Sequence, residues 1–272
     1  MMKMRIDEHI EVSRFSGLSQ FRDISHFITT RHGGVSEGNF ASMNPAIFSE
    51  DNPDYVRRNL QLLSEVIGVS AEHIYMPHQT HGNRVAVVDE RVIALQEDER
   101  NESLEGIDAL ITQLRGVCVA VSTADCVPIL LYAPDCGAVA AVHAGWRGTV
   151  ACIASRAVDE MVANFGCDPS AIVAGIGPSI SREAFEVGEE VVEAFSSAGF
   201  DMDVILSRDS SNGKGHIDLW EANRQLLLDS GLKSVNIEVS GICTYYNSDD
   251  YFSARRLGVK SGRILSGIYL ND

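Results

Sequence analysis

Three short segments carry the side chains best suited to chemistry: HQTHG (His78–Gly82), STADCVP (Ser122–Pro128) and VHAGWRG (Val142–Gly148). Together they offer two imidazoles and a thiol, on His81, Cys126 and His143. Imidazole and thiolate suit zinc, and three protein ligands leave a fourth position open for water, as catalytic zinc sites do. These residues stand 45 and 17 positions apart, far too widely for a finger-type module. The fold itself must therefore assemble them. A zinc held this way lowers the pKa of its water to about 7, which gives a hydroxide nucleophile or a Lewis acid at neutral pH. Asp125, beside Cys126, is placed to act as a general acid/base or to orient a ligand. Arg147 follows at a strand-to-helix junction whose backbone N–H groups favour an anion. Plainer readings stand beside these. A Cys between apolar strands packs a core, a lone His satisfies hydrogen bonds, and His78 replaces His81 as ligand if the segment twists differently. GIGP (Gly175–Pro178) lacks the Lys-Ser/Thr of a phosphate loop and reads as a turn.

The elements that must position these residues alternate irregularly. Apolar spacing predicts a helix over Tyr55–Ile67, then a strand over Arg84–Val88. Buried strands are expected at Val117–Val121, Val127–Tyr132 and Ala138–His143, with a helix over Thr149–Phe165. Ala171–Ile176, Val235–Ser240 and Arg263–Tyr269 complete the strands, and Glu183–Ala198 and Asp218–Leu228 the helices. Two polar stretches, Glu97–Glu105 and Ser207–Gly215, read as exposed loops. The fold class is α/β in the broad sense, with mixed sheets and helices packed outside.

The chain has 272 residues, 45% hydrophobic and 22% charged, which excludes wholesale disorder. Neither a linker nor an internal repeat divides it, so one domain over 1–272 is expected. Lys and Arg number 22 against 38 Asp and Glu, a net charge of −16. That field repels polyanions, so nucleic acid and anionic membranes are poor partners. A few local Arg residues can still bind one phosphate. No stretch is long and apolar enough for a membrane span. The start, MMKMRIDEHIEVSRF, has acids where a secretion signal needs an apolar core. A cytoplasmic protein with reduced thiols at its six Cys positions is expected.

With these segments in view, the sequence resembles the bacterial family known as laccase-domain or multicopper polyphenol oxidase-like proteins, now described as purine nucleoside phosphorylases. The likeness runs from TTRHGGVSEGNFASMN (Thr29–Asn44) through HQTHG, DALIT (Asp108–Thr112), TADCVPIL, AVHAGWRGT and GPSIS (Gly177–Ser181). It continues with FEVGEEV (Phe185–Val191), DLWEANRQLL (Asp218–Leu227), CTYYN (Cys243–Asn247), FSARR (Phe252–Arg256) and Gly262–Arg263. The resemblance implies zinc on His81, Cys126 and His143, with copper as the second choice of metal. It implies a single domain of two packed mixed sheets flanked by helices, similar to the fold of a bacterial deamidating toxin. The chain departs from the family's pattern at His78, at Ala254 and in the long acidic stretch before Asp108.

The implied chemistry is phosphorolysis of adenosine, inosine or methylthioadenosine to base and pentose 1-phosphate, with adenosine deamination beside it. The partners are then a purine nucleoside and phosphate. Cys126 and His143, with Asp125 shuttling protons, are the expected catalytic groups. Arg31, Arg147 and Arg255 are candidates for phosphate, because guanidinium binds it bidentately. Asn44 orients a ribose hydroxyl or caps a turn. Three rival classes remain: a metal-free amidase with Cys126 as nucleophile and His143 as base, a weak copper-dependent polyphenol oxidase, and a zinc-stabilised interaction protein. The chain's eight His include no HxH pair, which argues against full laccase chemistry.

Overall fold

A computed structural model describes residues 1–5 and 10–272. Asp7 and Glu8, acids of the leading segment, lie outside the described residues. The strands in chain order are β1 Met2–Arg5, β2 Glu11–Arg14, β3 Ile24–Thr29, β4 Ile74–Tyr75, β5 Val85–Val87, β6 Ala109–Thr112, β7 Cys118–Thr123 and β8 Val127–Ala133. After them come β9 Ala138–Ala144, β10 Val173–Ile176, β11 Glu186–Val187, β12 Leu206–Arg208, β13 Gly215–Ile217, β14 Ile237–Val239 and β15 Ile264–Leu270. The helices are α1 Pro53–Ile67, α2 Glu90–Ile93, α3 Glu97–Ser103, α4 Trp146–Val150, α5 Ile153–Phe165, α6 Glu189–Ser197, α7 Met202–Ile205, α8 Leu219–Asp229 and α9 Ala254–Leu257.

Two six-stranded mixed sheets form the centre, in the orders β1-β2-β3-β15-β7-β4 and β14-β10-β8-β9-β6-β5. Residue alternation along the strands explains their stacking. On β8, Leu130 and Tyr132 meet Val119 and Val121 of β7 between the sheets. The alternate residues Val127, Ile129 and Leu131 turn outward and pack on Ile153, Ala157 and Met161 of α5 and on Leu227 of α8. On β7 the alternates Cys118 and Ala120 face Leu63 and Ile67 of α1. Helix, sheet, sheet and helix are thus layered, and the middle strands are apolar on both faces because both faces are covered. None of the described helices is long and apolar enough to cross a membrane. All six cysteines are free thiols.

Several local expectations shift. The acidic Glu97–Glu105 stretch is helical over α3, since acids in the first turn suit the positive end of a helix. The expected Thr149–Phe165 helix is two, broken at Cys152, whose φ is 58°. Helix α6 begins only at Glu189, because Glu186 and Val187 pair with β13 instead. The Ser207–Gly215 loop is the bend of a β12–β13 hairpin in a small third sheet. Strands β1 to β4 and β6 were not among the expected elements; β6 lies in the DALIT segment.

Helix α1 starts at Asn52, whose side chain accepts from Asp54 N–H with Pro53 at the first position, and it stops at Gly68 with φ 74°. Its inner face carries an unusual polar residue. Asn59, fully buried, accepts from Val35 N–H and donates to Ser36 Oγ and to the Ser42 and Asn44 carbonyls. It therefore pins the long 30–44 segment onto the fold. We expect Asn59→Ala to cost about 2–4 kcal/mol by stranding these groups. For a chain of this size that is a fall in Tm of roughly 5–15 °C, readable by calorimetry. An unchanged Tm would mean the segment is held by other contacts.

Candidate metal centre

Strand register brings two of the three donors together. In the antiparallel β8–β9 pair, Pro128 lies opposite His143 and Val127 opposite Ala144. Cys126, one residue before β8, therefore faces the end of β9. His81 arrives on the loop after β4. The donor atoms of His81, Cys126 and His143 all lie within 4.8 Å of one another, and among the described residues no other such group of His, Cys, Asp and Glu forms. The two imidazoles meet edge to face at 4.8 Å. His143 is buried, Cys126 half-buried and His81 exposed.

A fourth residue organises two of the three. Asp108, at the head of β6, is fully buried. Its Oδ1 accepts from His81 N–H (2.9 Å) and pairs with His143 Nδ1 (2.8 Å). Its Oδ2 accepts from the N–H groups of Gly82 (2.7 Å) and Thr80 (3.3 Å). The His143 backbone N–H also donates to the Asp108 carbonyl. With Nδ1 committed to the carboxylate, Nε2 is the nitrogen left for Cys126. Metal-ligating histidines are oriented in this way. Burial pushes Asp108 up, but His143 and the loop amides outweigh it and hold it below the usual carboxylate range. Burial likewise opposes the Cys126 thiolate, yet His143 and His81 draw the thiol down to about 6. Burial disfavours a charged His143, but Cys126 and Asp108 raise it to about 9. The donor set thus favours a thiolate, the form that binds a metal.

The loops are held under constraint. His81 has φ 63° and Asp125 φ 84°, in the left-handed region that side chains rarely adopt. Gln79 ties the first loop to β7: its Nε2 donates to the Ser122 carbonyl, and its Oε1 accepts from Ser122 N–H, both at 2.8 Å. Gly145, at the start of α4, has no room for a side chain. A Cβ there would lie 2.9 Å from His81 Cδ2 and 3.1 Å from Cys126 Sγ. The three donors thus crowd one small space that only a glycine leaves open.

A cavity of about 340 Å³ opens beside the donors, lined in part by Phe48, His78, Gln79, Ser122, Ala254 and Arg263. His78 does not join the donor group. Its Nδ1 pairs with Glu105 and its ring lies 4.8 Å from that of Phe48. Asp125 is fully engaged: Oδ1 accepts from Thr244 Oγ1 and Oδ2 from Arg255 N–H, both at 2.6 Å. Its observed part is to hold the loop that carries Cys126. The residues expected to bind substrate lie elsewhere than the cavity wall. Arg31 donates to the Ala41 and Ser248 carbonyls and covers the Phe252 ring at 4.9 Å. Asn44 is buried, donating to Ser49 and Asp51 and accepting from Arg263 N–H. Arg147 is exposed and lies on its neighbour Trp146. Arg255, also exposed, donates to the Glu186 carbonyl. Arg31, Asn44 and Arg255 are thus hydrogen-bonded to local partners, and the contact seen for the Arg147 guanidinium is the Trp146 ring. Sequence reasoning assigned no role to Asp108, Gln79, Gly145 or Arg263. For Asp108 a signal existed, since an acid flush against the apolar run ALIT must be paired if that run is buried.

Comparison with known proteins agrees with this layout. A family model described as multi-copper polyphenol oxidoreductase laccase matches residues 25–271. A purine nucleoside phosphorylase of Bacteroides thetaiotaomicron is 50% identical over 94% of this chain and 95% of its own. Adenosine deaminase RL5, from an unknown prokaryotic organism, is 43% identical over 96% and 99%. The crystal structure of YlmD from Geobacillus stearothermophilus superposes with a TM-score of 0.89 at 31% identity, covering 99% of both chains.

Two substitutions test the centre. Asp108→Asn removes the charge that orients His143, and zinc affinity should fall about 10- to 100-fold in a chelator competition. Gly145→Ala should drive His81 and Cys126 apart and weaken added zinc, used as a probe metal, at least as much in the same competition. Affinity for the probe metal unchanged in both variants would remove these residues from the centre.

Proposed function

The chain belongs to the multi-copper polyphenol oxidoreductase laccase family, and from that premise we propose a cytoplasmic, zinc-dependent purine nucleoside phosphorylase with adenosine deaminase activity. The observation that carries the reading is the convergence of His81, Cys126 and His143 beside a cavity large enough for a small ligand. The relatives named purine nucleoside phosphorylase and adenosine deaminase support both halves of it.

The residues present fit the metal. Three N and S donors converge, a buried carboxylate orients one of them, and the cavity lies on the open side. When bound, zinc supplies Lewis acidity and makes a nearby water more acidic. The chain's own residues do the rest. Asp108 keeps His143 in one tautomer, and the Gln79 clamp fixes the loop that carries His81. Phe48 and His78 offer ring faces at the cavity wall against which a purine can stack. In phosphorolysis, a phosphate oxygen bonds to C1′ while the bond from C1′ to the base nitrogen breaks. The electron pair leaves with the base, and the proton of hydrogen phosphate ends on it. In deamination, water replaces the C6 amino group of adenosine and ammonia leaves. Arg31, Arg147 and Arg255 are not among the residues that line this cavity.

A second reading has an observation of its own. Asp108, His143 and Cys126 form an acid–base–thiol line of the kind a Cys nucleophile uses. A metal-free amidase would need that line but not His81. Copper oxidation gains no such support, because the described residues supply one donor group of this kind.

Purified protein incubated with adenosine, with and without phosphate, separates these outcomes. Phosphate-dependent adenine and phosphate-independent inosine are expected. Both should fall at least about 100-fold in Cys126→Ala and in His81→Ala, and both should stop on chelation. Turnover that survives chelation and His81→Ala but not Cys126→Ala would replace this reading with the thiol enzyme.

A further inference from the structure

We propose that Arg263 is the phosphate-binding residue of this cavity, an assignment that rests on the phosphorylase reading and completes it. Arg263 lines the same cavity as His81, Cys126 and His143. Its guanidinium is held by neutral groups alone. Nη1 donates to the Ser261 and Gly262 carbonyls at 2.5 and 3.1 Å, and Nη2 donates to the Val259 carbonyl at 2.9 Å. Nε has no hydrogen-bond acceptor among the described residues. No carboxylate lies within ion-pair distance of this guanidinium among them either, whereas Arg57, Arg91, Arg208 and Arg224 each hold one.

The negative charges that act on Arg263 are Cys126 first, then Asp125 and Glu50, and none is in ion-pair contact with it among the described residues. Asp125 spends both oxygens on Thr244 and the Arg255 amide, and Glu50 pairs with Lys260 at 2.7 Å. A half-buried guanidinium with no carboxylate in ion-pair contact keeps donor capacity for an anion that enters the cavity. In a chain of net charge −16, phosphate needs such a local cation to enter at all.

The position is also preset. Arg263 N–H donates to Asn44 Oδ1, and Gly262 N–H to the Asn39 carbonyl. Gly262 lies against Phe252, where an added Cβ would be 2.4 Å from the ring. The segment running to Asn44 and the Gly262–Arg263 pair therefore act together. The first holds the second, and the second presents a fixed guanidinium to the space beside the metal donors. That pre-organisation lowers the entropy lost on binding.

The test uses zinc-loaded wild type, Arg263→Gln and Arg263→Lys. Inorganic phosphate is titrated by calorimetry, and the KM for phosphate and for nucleoside are measured separately. Arg263→Gln should weaken phosphate binding and raise the phosphate KM about 10- to 100-fold, the loss of one or two charged hydrogen bonds. The nucleoside KM should move less than about threefold, which a merely structural role would not arrange. Arg263→Lys should fall between, since it keeps the charge and loses the fork. If Arg263→Gln does not give a cooperative melt, the lysine variant carries the comparison. Unchanged phosphate binding in the variants, or none in the wild type, overturns the assignment. So does a joint loss of kcat and nucleoside affinity at unaltered phosphate KM. Phosphate binding that depends on Arg263 without any nucleoside cleavage would sink the phosphorylase reading and leave Arg263 as an anion site.

Discussion

A single buried carboxylate sets the geometry of the centre. Asp108 has no Lys or Arg partner in the described structure; its charge is held by three consecutive backbone amides and one imidazole. A buried carboxylate is tolerated only when its lone pairs are satisfied. The His81 loop must therefore curl around Asp108, and His143 must turn Nδ1 toward it. Two metal donors are placed by one desolvated charge. The third is placed by strand register, because Cys126 precedes the β8 residues that pair with the end of β9.

This arrangement stores strain and spreads its support. His81 and Asp125 both sit at positive φ, and such positions cost of order 1–3 kcal/mol each unless their surroundings over-determine them. The supports are visible. Gln79 locks the first loop to β7, and Thr244 with the Arg255 amide locks the second. Asp125 thus braces this loop through both carboxylate oxygens. The same bond explains why α9 lies close by, since Arg255 brings its amide to the loop and leaves its guanidinium on the Glu186 carbonyl. The donors are therefore positioned by the polypeptide before any metal enters.

The sequence disclosed some of this and hid the rest for physical reasons. Chemistry was legible where residue type alone restricts it: His81, Cys126 and His143 were chosen as soft donors, and the structure brings them together. The strands β7, β8 and β9 were legible because they are apolar on both faces. Strands β2, β3 and β6 are short runs whose pairing depends on distant partners, such as β15 on β3, and no local period reports that. The α4–α5 break was hidden because Cys152 is not a residue that announces positive φ. The anion site was the least legible part. Arg31, Arg147 and Arg255 stand out by charge and motif, whereas which guanidinium lines the cavity depends on the fold, and Arg263 is the arginine that does so. Arg31 is spent on loop carbonyls and a ring face, while Arg263 was visible only as part of a motif.

The two proposed reactions attack different atoms, C1′ of the sugar and C6 of the base, and one centre must accommodate both. The cavity volume, about 340 Å³, is near the lower end for small-molecule sites, which begin at about 300 Å³. A nucleoside and a phosphate together would leave little spare space, so the two chemistries require two placements of the nucleoside rather than one. The mixed chemistry of the lining supplies the means. The rings of Phe48 and His78, Arg263 and the three donors all line the one cavity. A purine stacked on the rings with phosphate on Arg263 directs the sugar toward the anion. With the anion absent, the space beside Arg263 is free and the base can move toward the donors. Phosphate would then act as more than a reactant: by occupying Arg263 it selects which atom of the nucleoside meets the centre.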